Sequence, residues 1–305
     1  MDKVLVTGGA GFIGSHLAEA LVRAGFDVTV VDDLSSGVRA YVPRAARFRK
    51  LDVRAPQLTK LIQDVGPAYV CHLAAQISAT RSKADAAADA SVNIVGSLNL
   101  LESLKGLRLK KFLFVSTAAL YGDAREIPTT ELAELKPLSP YALSKLTVER
   151  YLEYYEAAYG IPYVVVRPSN VYGPRQETKG EGGVVAMFCR ALMQSKSIMI
   201  EGRGEQTRDF LFVADAAAGM LAALLTGRGT FNLSTGHELT IRELAVKSGE
   251  VAGVVPQVRY APPREQEISR SALSALKASR ELDWHAQVPL PEGLRQTLKW
   301  FKQTV

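Results

Sequence analysis

Tyr141 and Lys145 stand four residues apart in Ser139-Pro140-Tyr141-Ala142-Leu143-Ser144-Lys145. In a helix that spacing puts a phenol and an ammonium on one face, about one turn apart. A free tyrosine has a pKa of about 10, too high for an effective base at neutral pH. A neighbouring cation favours the phenolate and can lower that value by roughly 1–3 pKa units. The pair therefore reads as a device for taking the proton of a hydroxyl and returning it. Alone it is a weak motif, because Tyr-x-x-x-Lys arises by chance on many amphipathic helices.

A second constellation gives it weight. Gly8-Gly9-Ala10-Gly11-Phe12-Ile13-Gly14 follows a β-branched run at residues 4–7 and opens a helical pattern over about 13–24. Small residues there let the backbone turn tightly and approach a pyrophosphate, whose charge is favoured at a helix N-terminus. The spacing is G-x-x-G-x-x-G, wider than G-x-G-x-x-G, but the strand–loop–helix context that the motif needs is present. Asp32 ends the next strand-like run, at Val30-Val31-Asp32-Asp33. A carboxylate at that place accepts from the adenosine ribose hydroxyls and repels a 2′-phosphate, which favours NAD over NADP. Asp33 is the alternative for that role. Asp52 and Val53, after the third strand, are candidates for the adenine edge, with an ordinary strand-end aspartate an equal reading.

These residues need a scaffold, and the chain supplies one. Strand-like runs at 4–7, 28–31, 47–51, 68–72, 112–116 and 163–167 alternate with helical patterns near 13–24, 56–65, 89–104 and 141–159. Such alternation makes a doubly wound α/β fold on a parallel sheet with right-handed crossovers. After Pro168 the rhythm changes. Residues 176–183 are polar and Gly-rich, which predicts a mobile loop. A helix near 184–194 and a strand at 198–201 follow; a helix at 213–225 and a strand at 230–233 return to the main sheet. From Thr240 come a helix, a strand at 258–260, the Pro262-Pro263 break and a C-terminal helix near 291–303. The expected division is a cofactor-binding domain, 1–167 plus about 209–235, and a smaller C-terminal α/β lobe for substrate, 168–208 plus 236–305. The Ala-rich stretch 84–90 is helix-compatible and needs no special role.

Composition narrows the field. The chain has 305 residues, 47% hydrophobic and 22% charged, ordinary values for a globular protein with a large core. No apolar run reaches the roughly 18 residues of a membrane span. The two cysteines, Cys71 and Cys189, make no disulfide framework, and Cys71 sits in an apolar run as a buried thiol would. The chain enters its first strand with no signal-peptide layout, so we expect a cytoplasmic enzyme. The net charge of +6 suits an anionic partner. The basic residues form no stripe and no nucleic-acid-reading motif, so a nucleotide substrate is the better use of them. His16, His72, His237 and His285 are dispersed, and no catalytic metal is expected. His16, just inside the first helix, reads as structural.

Taken together, the motifs resemble the extended short-chain dehydrogenase/reductases, and within them the nucleotide-sugar 4-epimerases of the UDP-galactose type. The resemblance covers almost the whole length. Residues 7–14 match the family's cofactor loop, and His72-Leu73-Ala74-Ala75 the segment beneath the nicotinamide-side ribose. Ser116-Thr117 before Tyr121-Gly122, then Tyr141 and Lys145, match the catalytic set. Arg167-Pro168-Ser169-Asn170-Val171-Tyr172-Gly173-Pro174 is similar to the segment entering the sugar-nucleotide site, with Pro168 on its cofactor side. Gly204-Glu205-Gln206-Thr207-Arg208-Asp209-Phe210 and Pro263-Arg264-Glu265 are similar to diphosphate-contacting segments.

The resemblance implies a Rossmann-type fold, bound NAD and a UDP-sugar substrate. It makes Tyr141 the acid–base group, Lys145 the holder of the nicotinamide ribose and Thr117 the partner of the reacting oxygen. It makes Arg208 and Arg264 diphosphate ligands, with Asn170 and Glu267 as further substrate contacts; a guanidinium forks well onto phosphate oxygens. Thr117 stands where many such epimerases have Ser, and both hydroxyls donate and accept. Dehydratases and decarboxylases of the superfamily place an acidic group just after that residue; here stand Ala118 and Ala119. Ser271 aligns with a position that is bulky in galactose-specific relatives, so the resemblance implies room for an N-acetyl group. A homodimer built on the helices at 89–104 and 141–159 is implied in the same way. Tyr151, Tyr154, Tyr155 and Tyr159 read as core and interface packing. Another nucleotide-sugar epimerase or reductase (uronate, deoxysugar, GDP- or CDP-sugar) is the alternative; a non-catalytic NAD- or RNA-binding protein on the same scaffold is a third, against which the retained Thr117, Tyr141 and Lys145 count.

Overall fold

The computed structural model describes residues 1–176, 183–263 and 268–304. Strands covered on both faces need apolar side chains at successive positions. Most of the runs seen in the sequence supply them: β1 (Lys3–Thr7), β2 (Asp27–Asp32), β4 (Tyr69–His72), β5 (Lys111–Val115), β6 (Tyr163–Pro168) and the strand Gly229–Leu233, while β3 (Arg47–Lys50) is a largely exposed, basic edge strand. They form one seven-stranded sheet in the order β3-β2-β1-β4-β5-β6-(Gly229–Leu233), with every pairing parallel. Chain direction across the sheet reverses between β1 and β4. In an open α/β sheet the ligand crevice lies at that switch, beyond the carboxyl ends of the strands.

Helices close both faces. Leu17, Ala18 and Leu21 of Phe12–Arg23 pack with Ala216, Met220 and Leu224 of Val213–Thr226 on one side. Leu58 and Ile62 of Gln57–Val65, Leu100 and Leu101 of Gly96–Leu104, and Val148 and Leu152 of Pro140–Tyr159 fill the other. A separate apolar cluster joins Phe188 of Val184–Met193, Ile198 and Ile200, Leu244 of Ile241–Ala252, and Leu298 of Leu290–Thr304. Among the described residues no helix is long and apolar enough to cross a membrane.

Several elements differ from expectation. The single helix foreseen over 89–104 is three pieces: Ala86–Ala90, a π-helical turn Ser91–Val95, and Gly96–Leu104. Gly96 lies so close to the loop after β3 that a Cβ there would stand 2.8 Å from the Val53 side chain. Three short ladders escaped the sequence reading or its pairing: Asn170–Tyr172 with Phe210–Phe212, Thr207–Arg208 with Leu239–Thr240, and Val258–Ala261 with Ile198–Glu201. Of the segment 176–183 foreseen as a mobile loop, 177–182 lie outside the described residues.

Candidate active site

The helix that carries Tyr141 and Lys145 starts where Ser-Pro dictates. Ser139 Oγ accepts from the Ala142 amide at 3.2 Å, and Pro140 occupies the first turn, where an N–H would have no helical partner. Lys145, 4% exposed, donates from Nζ to the Val115 carbonyl at 2.9 Å and lies 4.7 Å from the Phe114 ring centroid. Thr117 follows β5 in extended backbone. Its Oγ1 accepts from the Ala119 amide at 3.2 Å, capping the short turn Ala118–Tyr121. The same hydroxyl lies close enough to the Tyr141 phenol to favour its charged form. The end of β5 and one helix thus bring Thr117, Tyr141 and Lys145 to one place.

The electrostatics correct one expectation. Burial pushes the Tyr141 phenol up to about 12, against the nearby Thr117 hydroxyl and with the Asp89 charge. Burial also pulls the Lys145 ammonium down to about 8, against the charges of Asp89 and Glu149. The spacing argument had Lys145 lowering the phenol. In the folded protein the ammonium is held by the Val115 carbonyl, and desolvation outweighs any cationic help. His72, on β4, is a bolt rather than an acid: Nδ1 meets Thr7 Oγ1 at 2.6 Å, Nε2 meets Ser97 Oγ at 2.8 Å, and burial takes it down to about 3. His16 Nε2 binds the Pro174 carbonyl at 3.1 Å.

Next to this set lies a cradle for an anion. Gly8 has φ +71°, and a Cβ on it would stand 2.5 Å from the Ala74 nitrogen, so the loop after β1 is pressed against Leu73 and Ala74. A Cβ on Gly14 would stand 2.1 Å from the Gly8 carbonyl oxygen. Gly11 caps the helix Phe12–Arg23 with no side-chain hydrogen bond, and its first turn holds no acidic residue. The leading N–H groups, including those of Phe12 and Ile13, therefore face outward as a ready anion site. Asp32 is buried at the end of β2. One carboxylate oxygen accepts from the Ala10 amide (3.0 Å) and the other from Leu34 (2.8 Å), leaving acceptor capacity on both for ribose hydroxyls. Asp33 is exposed and accepts from Ser35. Asp52 is paired with Arg54, and Val53 is buried with its carbonyl accepting from Asn99. Ala75 follows Ala74 as a half-buried residue. This arrangement fits a dinucleotide.

Of the residues assigned to substrate, Asn170, Arg208 and Ser271 are described and come from separate segments after β6. Pro168 ends β6, and exposed Asn170 opens the strand beside Phe210–Phe212. Arg208 donates to the Thr207 and Ile268 carbonyls, at 2.7 and 2.8 Å. Ser271 is half-buried between Arg270, paired with Glu238, and Ala272, whose carbonyl accepts from Thr129. Arg264 and Glu267 lie outside the described residues. Asp209, within the expected diphosphate segment, is fully buried and accepts from Ser169, Thr235 and Gly236. Its work is to tie strand ends together. Sequence reasoning missed Gln76, Asp89 and Asn93, a buried polar group behind Tyr141. Their only signal was a pair of polar residues spaced by four in an otherwise small-residue run. Among the described residues no cluster of His, Cys, Asp or Glu could hold a metal ion.

A parallel sheet with a glycine cradle at its switch point and a Tyr/Lys/Thr set beyond β5 defines a dinucleotide-dependent enzyme. The chain matches the NAD dependent epimerase/dehydratase family over residues 4–234 and belongs to it. It is similar to the UDP-glucose 4-epimerase of Thermotoga maritima solved with UDP-glucose: 40% identity, 99% of each chain, TM-score 0.97. It is similar also to the Thermus thermophilus UDP-glucose 4-epimerase in complex with NAD, at 39% identity over 99% of this chain and 100% of that one, TM-score 0.94. The UDP-glucose 4-epimerase of Mycolicibacterium smegmatis is 38% identical over 308 residues, 98% of each chain. The protein is an extended short-chain dehydrogenase/reductase of the epimerase kind, and its cofactor is NAD.

Proposed function

We propose that the protein catalyses reversible 4-epimerisation of a UDP-hexose through a 4-keto sugar, with NAD tightly bound. The substrates are UDP-glucose and UDP-galactose, and also UDP-GlcNAc and UDP-GalNAc. One observation carries the reading: Thr117, Tyr141 and Lys145 converge beside the glycine cradle, and the residues after Thr117 are Ala118 and Ala119. Alanine cannot protonate a leaving hydroxyl, so dehydration lacks its acid.

The chemistry NAD supplies when bound is reversible uptake of a hydride, with a positive ring that favours a nearby phenolate. Gly8, Gly11, Phe12, Ile13 and Gly14 hold its pyrophosphate, Asp32 its adenosine ribose, and Lys145 its nicotinamide ribose. Tyr141 takes the proton of the sugar 4-hydroxyl, and Thr117 donates to that oxygen as charge develops on it. When the 4-keto sugar has turned over, Tyr141 returns the proton to the same oxygen on the other face. Asn170, Arg208, Arg264, Glu267 and Ser271 hold the UDP-sugar between the domain 1–167 plus about 209–235 and the lobe 168–208 plus 236–305. We read the protein as a cytoplasmic homodimer joined through the Gly96–Leu104 and Pro140–Tyr159 helices; exposed Leu143 and Tyr154 on the latter support it.

The test is to incubate purified protein with a panel of UDP-hexoses, uronates, and GDP- and CDP-sugars without added NAD. Interconversion at C4 of the UDP-hexoses is expected. Tyr141→Phe should lower kcat by roughly 100- to 10,000-fold, the usual worth of a general acid–base group, with NAD still bound. Equal turnover by both proteins would remove Tyr141 from the mechanism.

A further inference from the structure

Behind the catalytic helix lies a carboxylate that the reaction above does not use. We propose that Asp89 is a positioning residue of the active site: it braces the helix of Tyr141 and Lys145 through Asn93 and Ser144, and its carboxylate sets the pH window in which the pair works. The proposal rests on the epimerase reading.

Asp89 is 1% exposed, near the end of the helix Ala86–Ala90. Its Oδ1 accepts from Gln76 Nε2 at 2.8 Å and Asn93 Nδ2 at 3.1 Å. Its Oδ2 is buried and has no hydrogen-bond partner among the described residues. Asn93 sits in the π-helical turn Ser91–Val95, a distortion that recurs at functional sites. There its Nδ2 also reaches Ser144 Oγ at 3.0 Å, while its Oδ1 accepts from the Gln76 amide at 2.8 Å. Ser144 Oγ in turn donates to the Tyr141 carbonyl at 2.9 Å, and the Tyr141 amide donates to Ser82 Oγ at 3.1 Å. The chain of bonds runs from Asp89 to the backbone of the catalytic tyrosine.

A buried carboxylate oxygen without a donor is costly, and stability alone does not account for it. The charges around it suggest what does. On the neighbouring helix Ala79–Ala84, Arg81 and Lys83 are exposed, as is Asp85. On the catalytic helix stand Tyr141, Lys145 and Glu149; on β4, His72 is neutral; on β6, Arg167 forks onto Glu149 at 3.0 and 2.5 Å. Asp89 and Glu149 both favour the Lys145 cation, and Asp89 also opposes the Tyr141 phenolate. Glu149 is already neutralised by Arg167. Asp89 is thus a buried charge that acts on both Tyr141 and Lys145.

The test is Asp89→Asn. The amide keeps the shape, its oxygen still accepts both bonds, and its nitrogen replaces the partnerless oxygen. Losing the charge lowers the pKa of both Tyr141 and Lys145, so both limbs of the kcat/KM profile should move to lower pH, by about half to one pH unit for one charge at short range in an effective dielectric near 20 or above. Asp89→Glu should bring the limbs back. A readout without turnover runs beside it: the near-ultraviolet phenolate titration of Tyr141, taken as the difference from Tyr141→Phe, should occur at lower pH in Asp89→Asn. If the chain lacks epimerase activity, that titration still decides the point. Folded Asp89→Asn with an unmoved titration and unmoved limbs would overturn the proposal and leave Asp89 a structural residue. Asp89→Ser, with the same loss of charge, takes its place if the amide variant does not fold.

Discussion

Burial drives the Tyr141 phenol up to about 12 and the Lys145 ammonium down to about 8, so the pocket resists the charged form of both groups. Their pH behaviour follows with opposite consequences for activity and stability. Lys145 keeps its charge below about 8, and turnover should fall as pH rises past that value. For stability, the folded-state pKa lies below the unfolded value of about 10.4. Between the two the unfolded chain binds more protons, so stability rises with pH there. The cost of burying the ammonium is fully present below about pH 8 and is relieved as pH approaches 10.4. Thermal melts of wild type and Lys145→Met across pH 7 to 11 (roughly the span of both values) should show the wild type gaining on the variant while its activity declines. A constant gap between the two would mean that Lys145 does not titrate in that window.

Two loops and one helix position these groups, and they differ in how far the sequence reveals them. The loop after β1 is legible because its geometry is local: a strand, three glycines at fixed spacing and a helix start. Its tightness yields a prediction. In Gly14→Ala the Cβ would stand 2.1 Å from the Gly8 oxygen and 2.9 Å from Gly9 Cα, all backbone, and Gly8 cannot retreat because Ala74 is behind it. We expect a loss of about 1–3 kcal/mol, typical of overpacking, together with loss of copurifying NAD. Gly11→Ala, with its nearest contact at 3.2 Å, should be milder on both melting temperature and NAD content. The strands were readable for a similar reason, since sheets covered on both faces write apolar runs into the chain. The break in the helix foreseen at 89–104 was not. The bonds of Asn93 in that turn run to Gln76 and Ser144, 17 and 51 positions away, and no periodicity encodes such partners. The ladder of Asn170–Tyr172 with Phe210–Phe212 is only three residues long, too short to alternate visibly. In the site itself, the Tyr141/Lys145 pair follows from local spacing, and Thr117 from the family resemblance. The burial that pushes the phenol up, where the spacing suggested a downward pull from Lys145, appears only in three dimensions.

At the scale of the molecule, we expect sugar selectivity to depend on how the C-terminal segment is moored. Residues 268–273 form a strap held by several ties. Asp123 accepts from the Ser269 amide and hydroxyl (3.1 and 2.7 Å), the Thr207 amide donates to the Ser269 carbonyl (3.0 Å), and Leu273 bridges to Thr129. Asp123 lies just beyond the turn Ala118–Tyr121 that Thr117 caps, so the strap is fixed to that turn as well as to the outer lobe through Thr207. Arg208 reaches the same strap at the Ile268 carbonyl. A side chain placed on it should therefore act as part of a rigid boundary. Ser271 is small and half-buried there. In Ser271→Tyr we expect an added ring to occupy the space of a C2 acetamido group. The kcat/KM for UDP-GlcNAc and UDP-GalNAc should fall at least tenfold relative to UDP-glucose and UDP-galactose, about 1.4 kcal/mol or more of differential transition-state binding. Bound NAD and melting temperature should stay near wild type, because the strap's ties run through Ser269, Ala272 and Leu273 rather than through the substituted side chain. Equal losses on both sugar pairs would mean that Ser271 does not line the C2 side of the pocket.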